Sequence, residues 1–139
     1  MEQGKSFIVI NDLVALIIDD SEVIMFIAYA VIGVLLAFAL GASAVLTFTR
    51  NEGVTASMSK VGVPESWYPW LASAKAAGAL GLLIGLGVPL IGSAAAIGVA
   101  LYFLGAVVTH LRAKDYGIAP PLVLALLAVA ALVLRVLSA

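Results

Sequence analysis

Few side chains in this chain could do chemistry. It holds one histidine, no cysteine, eight carboxylates and seven Lys and Arg in 139 residues. Lys75 stands at the head of a run, Ala76 to Thr109, that contains no charged residue. An ammonium inside an apolar helix is a functional candidate by default, able to pair with the polar end of a ligand or with a substrate anion. The competing reading has its four-carbon stem reaching back to the interface. Gly78 and Gly81 follow at i+3 and i+6 on the same helix face, which favours an inward direction. His110 closes the run beside Arg112 and Lys114. It suits proton transfer or hydrogen bonding to a ligand, and equally a cation settled at a helix C-terminus. Trp67, Tyr68 and Trp70 form an aromatic cluster just before the run. Such clusters mark an interfacial belt, with ligand stacking as the alternative.

Composition narrows what these residues can be. At 64% hydrophobic and 11% charged, with mean hydropathy +1.21, the chain lies far outside the range of soluble domains. It reads as a single-domain integral membrane protein in contact with the lipid bilayer. A net charge of -1 argues against nucleic acid as a partner. Without cysteine the chain makes no disulfide, thiolate metal site or iron–sulfur ligation. No Ser/His/Asp set, carboxylate pair, phosphate loop or metal cluster is legible, so catalysis by the chain alone is not expected. His110 with Met58 is the one pair that haem ligation could use, and a single histidine with a loop methionine is a poor match for it.

The elements that must position these groups follow from the apolar runs. The fold class is all-α: a transmembrane four-helix bundle with an extra short N-terminal amphipathic segment. Helices are predicted at about 24–47, 70–88, 91–110 and 119–137. The run from Lys75 to Asp115 is about twice the ~20 residues that cross a bilayer once, so it reads as a hairpin turning at Pro89 to Gly92. Residues 1–23 form an N-terminal extension preceding the four-helix domain at 24–139. Its apolar stretches are broken by Asn11 and Asp12, and it fits an interfacial or partner-docking helix with Asp12, Ala15, Asp19 and Glu22 on one weakly polar face. Small residues recur at helical spacing, namely Gly33, Ala37 and Gly41, then Ala74, Gly78, Gly81 and Gly85, then Gly98 and Gly105. These are the expected helix-packing positions, because association in lipid rests on close backbone approach. Arg50, Glu52, Glu65, Arg112 and Asp115 are placed to form a solvated ion-pair cluster on the connections.

The stretches VPESWYPW, GALGLL and GAVVTHLRAKD, in a chain of four apolar helices, resemble the DoxX-like family of small bacterial membrane proteins. The resemblance runs from about Met25 to the C-terminus and has an actinobacterial style. Many members carry a glutamate where this chain has Lys75. The family implies a four-helix membrane bundle, and its namesakes are associated with membrane redox systems, including a quinone-linked oxidoreductase.

The leading functional expectation is therefore an accessory subunit of a membrane redox complex, partnered by other membrane protein subunits. Lys75, His110, Trp67, Tyr68 and Trp70 would line its quinone or lipid site. No intrinsic cofactor is expected beyond such a quinone or bound lipid. The alternatives are a stand-alone protein binding a small molecule or lipid, and a purely structural assembly subunit. The expected location is the bacterial plasma membrane. Five basic residues (Arg50, Lys60, Lys75, Arg112, Lys114) lie on the side of loops 48–69 and 111–118, against Lys5 and Arg135 on the other. That bias makes the loops cytoplasmic and puts both termini outside.

Overall fold

The computed structural model describes residues 2–139, the side chain of Ile18 excepted; Met1, first residue of the expected extension, lies outside the described residues. The chain is all-α, 86% helical, with no strand among the described residues. Five α-helices follow in order: α1 (Glu2–Phe48), α2 (Glu52–Lys60), α3 (Tyr68–Ile84), α4 (Pro89–Arg112) and α5 (Ala119–Leu137), with a 3-10 turn at Glu65–Trp67 before α3. The count exceeds the expected four because the first long connection folds its own helix, α2. By length and composition α1, α4 and α5 are long and apolar enough to cross a membrane.

No break in the helix falls near residue 23, where α1 was expected to begin. One helix of 47 residues, about 70 Å at 1.5 Å per residue, runs straight through it. The charged stretch Asp19, Asp20, Glu22 changes the medium the helix can tolerate, yet contains no glycine or proline to end it. Ser21 sits comfortably in the helix, its hydroxyl donating to the Ile17 carbonyl at 3.0 Å. Residues 2–24 are exposed wherever their side chains are described, so no amphipathic face of the extension is buried. From Met25 onward α1 begins to touch its neighbours.

Prolines set the starts of the other long helices. Pro69, Pro89 and Pro120 each fall in the first turn, where the missing N–H is no loss. For this reason α4 starts at Pro89, two residues before the expected position, with Val88 extended ahead of it (φ -125°, ψ 99°). Likewise α3 ends at Ile84 rather than 88. Helices α1 and α4 end in the same way. Arg50 (φ 54°) and Lys114 (φ 56°) adopt the left-handed conformation. The amides of Asn51 and Asp115 then reach back to the carbonyls of Leu46 (3.0 Å) and His110 (2.9 Å). A cation in that position suits the negative end of the helix dipole.

The four long helices pack in a closed ring, with α1 against α3 and α5, and α4 against the same two. Inward positions are mostly small: Ala37 and Ala44 of α1, Ala72 and Ala79 of α3, Ala96 and Ala100 of α4, and Ala125, Ala128 and Ala131 of α5. At one end, α3 and α4 meet through Gly85 and Gly92. A Cβ on Gly85 would run into the Gly92 backbone and the Tyr29 hydroxyl. A Cβ on Gly81 would lie 2.7 Å from Ala95 Cβ, and one on Gly78 2.8 Å from Val99 Cγ2. Gly41, Gly98 and Gly105, expected in the same packing stripes, have nothing within 4 Å, Gly33 meets only the Tyr29 ring at ordinary contact distance, and Ala74 is exposed.

Arg135 bolts this end together. It is 4% exposed, and its Nε donates to the Gly85 carbonyl at 2.8 Å. Its remaining nitrogens reach the Leu86 carbonyl (3.4 Å) and Ser138 Oγ (3.2 Å), and its guanidinium lies over Phe26 and Tyr29 at 5.2 and 5.4 Å from the ring centroids. Tyr29 itself donates to the Leu82 carbonyl at 2.9 Å. Carbonyls in the last turn of α3 (Leu82) and just beyond its end (Gly85, Leu86) thus find partners in α1 and α5. Thermal unfolding in mild detergent should show Gly85→Ala strongly destabilised and Gly41→Ala at or above wild type. Arg135→Met should lose about 2 kcal/mol, the scale of a charged hydrogen bond.

Candidate functional site

By helical spacing Tyr68, Ala72, Lys75, Ala79 and Leu82 form one seam of α3, and all five are buried. Lys75 therefore occupies a core position, 8% exposed, rather than a lipid-facing one. Its Nζ donates to Ser43 Oγ at 2.8 Å and to Thr47 Oγ1 at 3.3 Å, both on the last turns of α1. Thr47 is fully buried and passes its own proton to the Ser43 carbonyl at 2.8 Å, which leaves its lone pairs to accept from Lys75. On the α4 side the ammonium lies 5.8 Å from the Tyr102 ring centroid. That ring is braced edge-on by Phe103 at 5.1 Å. Among the described residues Lys75 makes no ion pair.

Beside Lys75 a groove of about 440 Å³ runs along the outer side of the α3–α4 contact. Its wall is apolar and small (Gly78, Gly81, Ala94, Ala95, Gly98), with Leu40 and Val99 at its floor and Lys75 and Tyr102 at its polar end. The rim residues Ala74, Ala77, Ala94 and Gly98 are exposed, so it opens sideways. The volume lies within the ~300–1,000 Å³ of ordinary ligand sites.

The other expected site residues do not gather here. Trp67 and Trp70 point outward, 56% and 78% exposed. Tyr68 is buried, but faces a separate cavity of about 310 Å³ with Glu52, Thr55, Ser59 and Glu65. His110 is turned to the α4–α5 connection, where Nδ1 meets Asp115 Oδ2 at 3.0 Å. Asp115 also takes Lys60 at 3.4 Å, which ties α2 to that connection. Arg50 pairs with Glu65 at 3.1 Å. The expected single cluster is thus two separate groups among the described residues, Arg50 with Glu65 and Asp115 with His110 and Lys60, without Glu52 or Arg112. A solvent-screened pair such as Arg50–Glu65 orders its connection more than it stabilises the fold. Ser43, Thr47 and Tyr102, which complete the Lys75 site, went unread in the sequence. Ser43 and Thr47 are spaced i, i+4 on α1, but hydroxyls in an apolar helix usually satisfy themselves on the preceding turn, as Thr47 also does here.

The model of the DoxX-like family matches residues 31–133. The chain belongs to the DoxX-like family. No curated protein and no solved structure matches it. Membership, together with three helices able to cross a bilayer, makes this DoxX-like chain an integral membrane protein. The matched span contains Ser43, Thr47, Lys75 and Tyr102, and leaves out both the projecting part of α1 and Arg135.

Outside the helices, Asp115 is held below the usual carboxylate range, first by the His110 hydrogen bond, then by the Gly117 amide and Lys60. A depressed folded value means these ties stabilise fully above the ordinary carboxylate pKa and are lost as pH falls through the lower folded value. Thermal stability should therefore drop on acidification, and Asp115→Asn should start lower at neutral pH and flatten that dependence.

Proposed function

We propose that this DoxX-like protein binds an amphipathic small molecule from the bilayer. The polar end would sit at Lys75 and Tyr102, and the apolar body between α3 and α4. The single observation that carries the reading is a buried ammonium, held among the described residues by two hydroxyls and a ring face alone, at the end of a sideways-open apolar groove. A quinone and a lipid both meet that description, since each joins a hydrogen-bonding oxygen head to an apolar tail.

In this reading α1, α3, α4 and α5 form a four-helix transmembrane unit in the bacterial plasma membrane. At 17 residues α3 covers about 25 Å, short of the ~30 Å core, and the preceding 3-10 turn Glu65–Trp67 makes up the difference at the interface. The basic bias puts α2 and the α4–α5 connection in the cytoplasm and both termini outside. Because the chain has no cysteine, single substitutions report this directly. An impermeant maleimide added to whole spheroplasts should label Gln3→Cys and spare Ser57→Cys.

The projecting half of α1 favours a second reading, as accessory subunit of a membrane redox complex. Phe7, Ile8, Ile10, Leu13 and Ile17 are all more than half exposed there, a surface that a partner subunit would cover. Co-purification with an oxidoreductase would support it, and quinone would then be the groove's occupant.

The groove itself is tested at Gly98, which lines it and where an added Cβ would meet nothing within 4 Å. Gly98→Phe should fill the groove without disturbing helix packing. Native mass spectrometry of wild-type protein from its own membrane should show a stoichiometric bound amphiphile, and Gly98→Phe should lose it while keeping its melting temperature. If wild type carries nothing, or Gly98→Phe carries as much, the reading fails.

A further inference from the structure

Granted that the groove is a binding site, a premise shared with the function proposed above, the charge of Lys75 narrows what occupies it. An ammonium has three N–H donors. Two are spent on Ser43 Oγ and Thr47 Oγ1, and Lys75 also lines the groove, which is where the third is free to point. Ser43 Oγ accepts from Lys75, and its hydroxyl proton remains available as a second donor at the same place. The site thus offers donors and a positive charge, and the hydroxyl oxygens of Ser43 and Thr47 are already turned to the ammonium.

Counter-charge within the protein is partial. The C-terminal turn of α1 brings at most about half a negative charge from the helix dipole, and Tyr102 brings only the face of its ring. Arg135 makes a useful contrast. It too is buried without a carboxylate, but its donors end on the Gly85 and Leu86 carbonyls and Ser138, and it does not line the groove. The cation that faces open space is the one left short of negative charge. A neutral head such as an alcohol or a quinone would satisfy the hydrogen bonds and leave that charge unmatched.

We propose that the groove takes an anionic amphiphile, a single apolar chain ending in a carboxylate. The carboxylate pairs with Lys75 Nζ and accepts from Ser43 Oγ, while the chain lies along Gly78, Gly81, Ala94 and Gly98. A carboxylate fits better than a phosphate monoester because the site offers one positive charge, which a single carboxylate matches, whereas a phosphate monoester brings about −1.5 to −2 at neutral pH. The walls, two helices in contact along glycines and alanines, have room for one chain.

The test uses the purified full chain in nonionic detergent, with palmitate, hexadecanol and lysophosphatidate as probes read by native mass spectrometry. Wild type should bind palmitate at least about tenfold more tightly than hexadecanol, the discrimination expected of one charged hydrogen-bonded pair. Lys75→Arg should retain the preference and Lys75→Gln should lose it, with residual binding of both probes. Melting curves establish that each variant is folded, and the comparison of acid with alcohol stands on wild type alone. Equal binding of acid and alcohol by wild type overturns the anionic head and leaves the groove standing. Tighter binding of lysophosphatidate than palmitate overturns the carboxylate. Failure of all three probes to bind, with no effect of Gly98→Phe, removes the groove reading as well.

Discussion

The contact between α3 and α4 is what the rest of the structure depends on. In lipid, apolar surface gains little by leaving its surroundings, so helices associate only where their backbones come close enough for dispersion and hydrogen bonding to count. Gly85 against Gly92 brings two backbones together with no room for a single Cβ. That approach presents the carbonyls at and just past the end of α3, Leu82 and Gly85, to Tyr29 and Arg135, and so recruits α1 and α5 to the same point. The small residues that continue the seam, Gly81 and Gly78, keep the helices close. On the outer side Ala94 and Gly98 have too little bulk to cover it, and a furrow remains. Packing and groove have one cause.

The two buried cations divide the bundle by role. Arg135 has a planar set of donors that reaches two carbonyls and a hydroxyl at once, and with its contacts to Phe26 and Tyr29 it joins three helices. Lys75 concentrates its charge on one atom and leans on hydroxyls, which are weaker partners for a charge than carbonyls at a helix end. An interior of alanine and glycine can hold the first as structure. The second costs desolvation that its partners do not fully offset, and intramembrane groups left in that state are the ones that meet ligands or ions.

Much of this architecture was legible from residue types. The apolar runs located α3, α4 and α5 within a few residues, and Gly78, Gly81 and Gly85 marked the α3 contact face. For Lys75 the sequence leaves two directions open, inward with Gly78 and Gly81 at helical spacing or back to the interface along its stem, and the structure has it buried. What could not be read has physical reasons. From the sequence Arg135 counts only as one of the basic residues on the side of the termini, because its partners are backbone carbonyls some fifty residues away, and carbonyls carry no sequence signature. Gly41, Gly98 and Gly105 matched the packing pattern equally well, since spacing identifies a face but not what stands opposite it. His110 and Lys75 share one side of the membrane in sequence order, yet the Asp115 hydrogen bond turns the histidine toward the connection.

The continuity of α1 follows from a distinction that hydropathy obscures. A membrane span ends where side chains require water, whereas a helix ends where the backbone loses its hydrogen-bonding pattern. At Asp19 to Glu22 only the first condition holds, so the helix carries on past the bundle for more than twenty residues. The segment is anchored at Phe26 and Tyr29, which lie under the Arg135 guanidinium at the same end where α3 meets α4. A continuous helix with one end clamped in that node holds a direction that a hinged arm would not. Any partner that covers Phe7 to Ile17 therefore meets a surface whose orientation is set by the packing of the bundle itself.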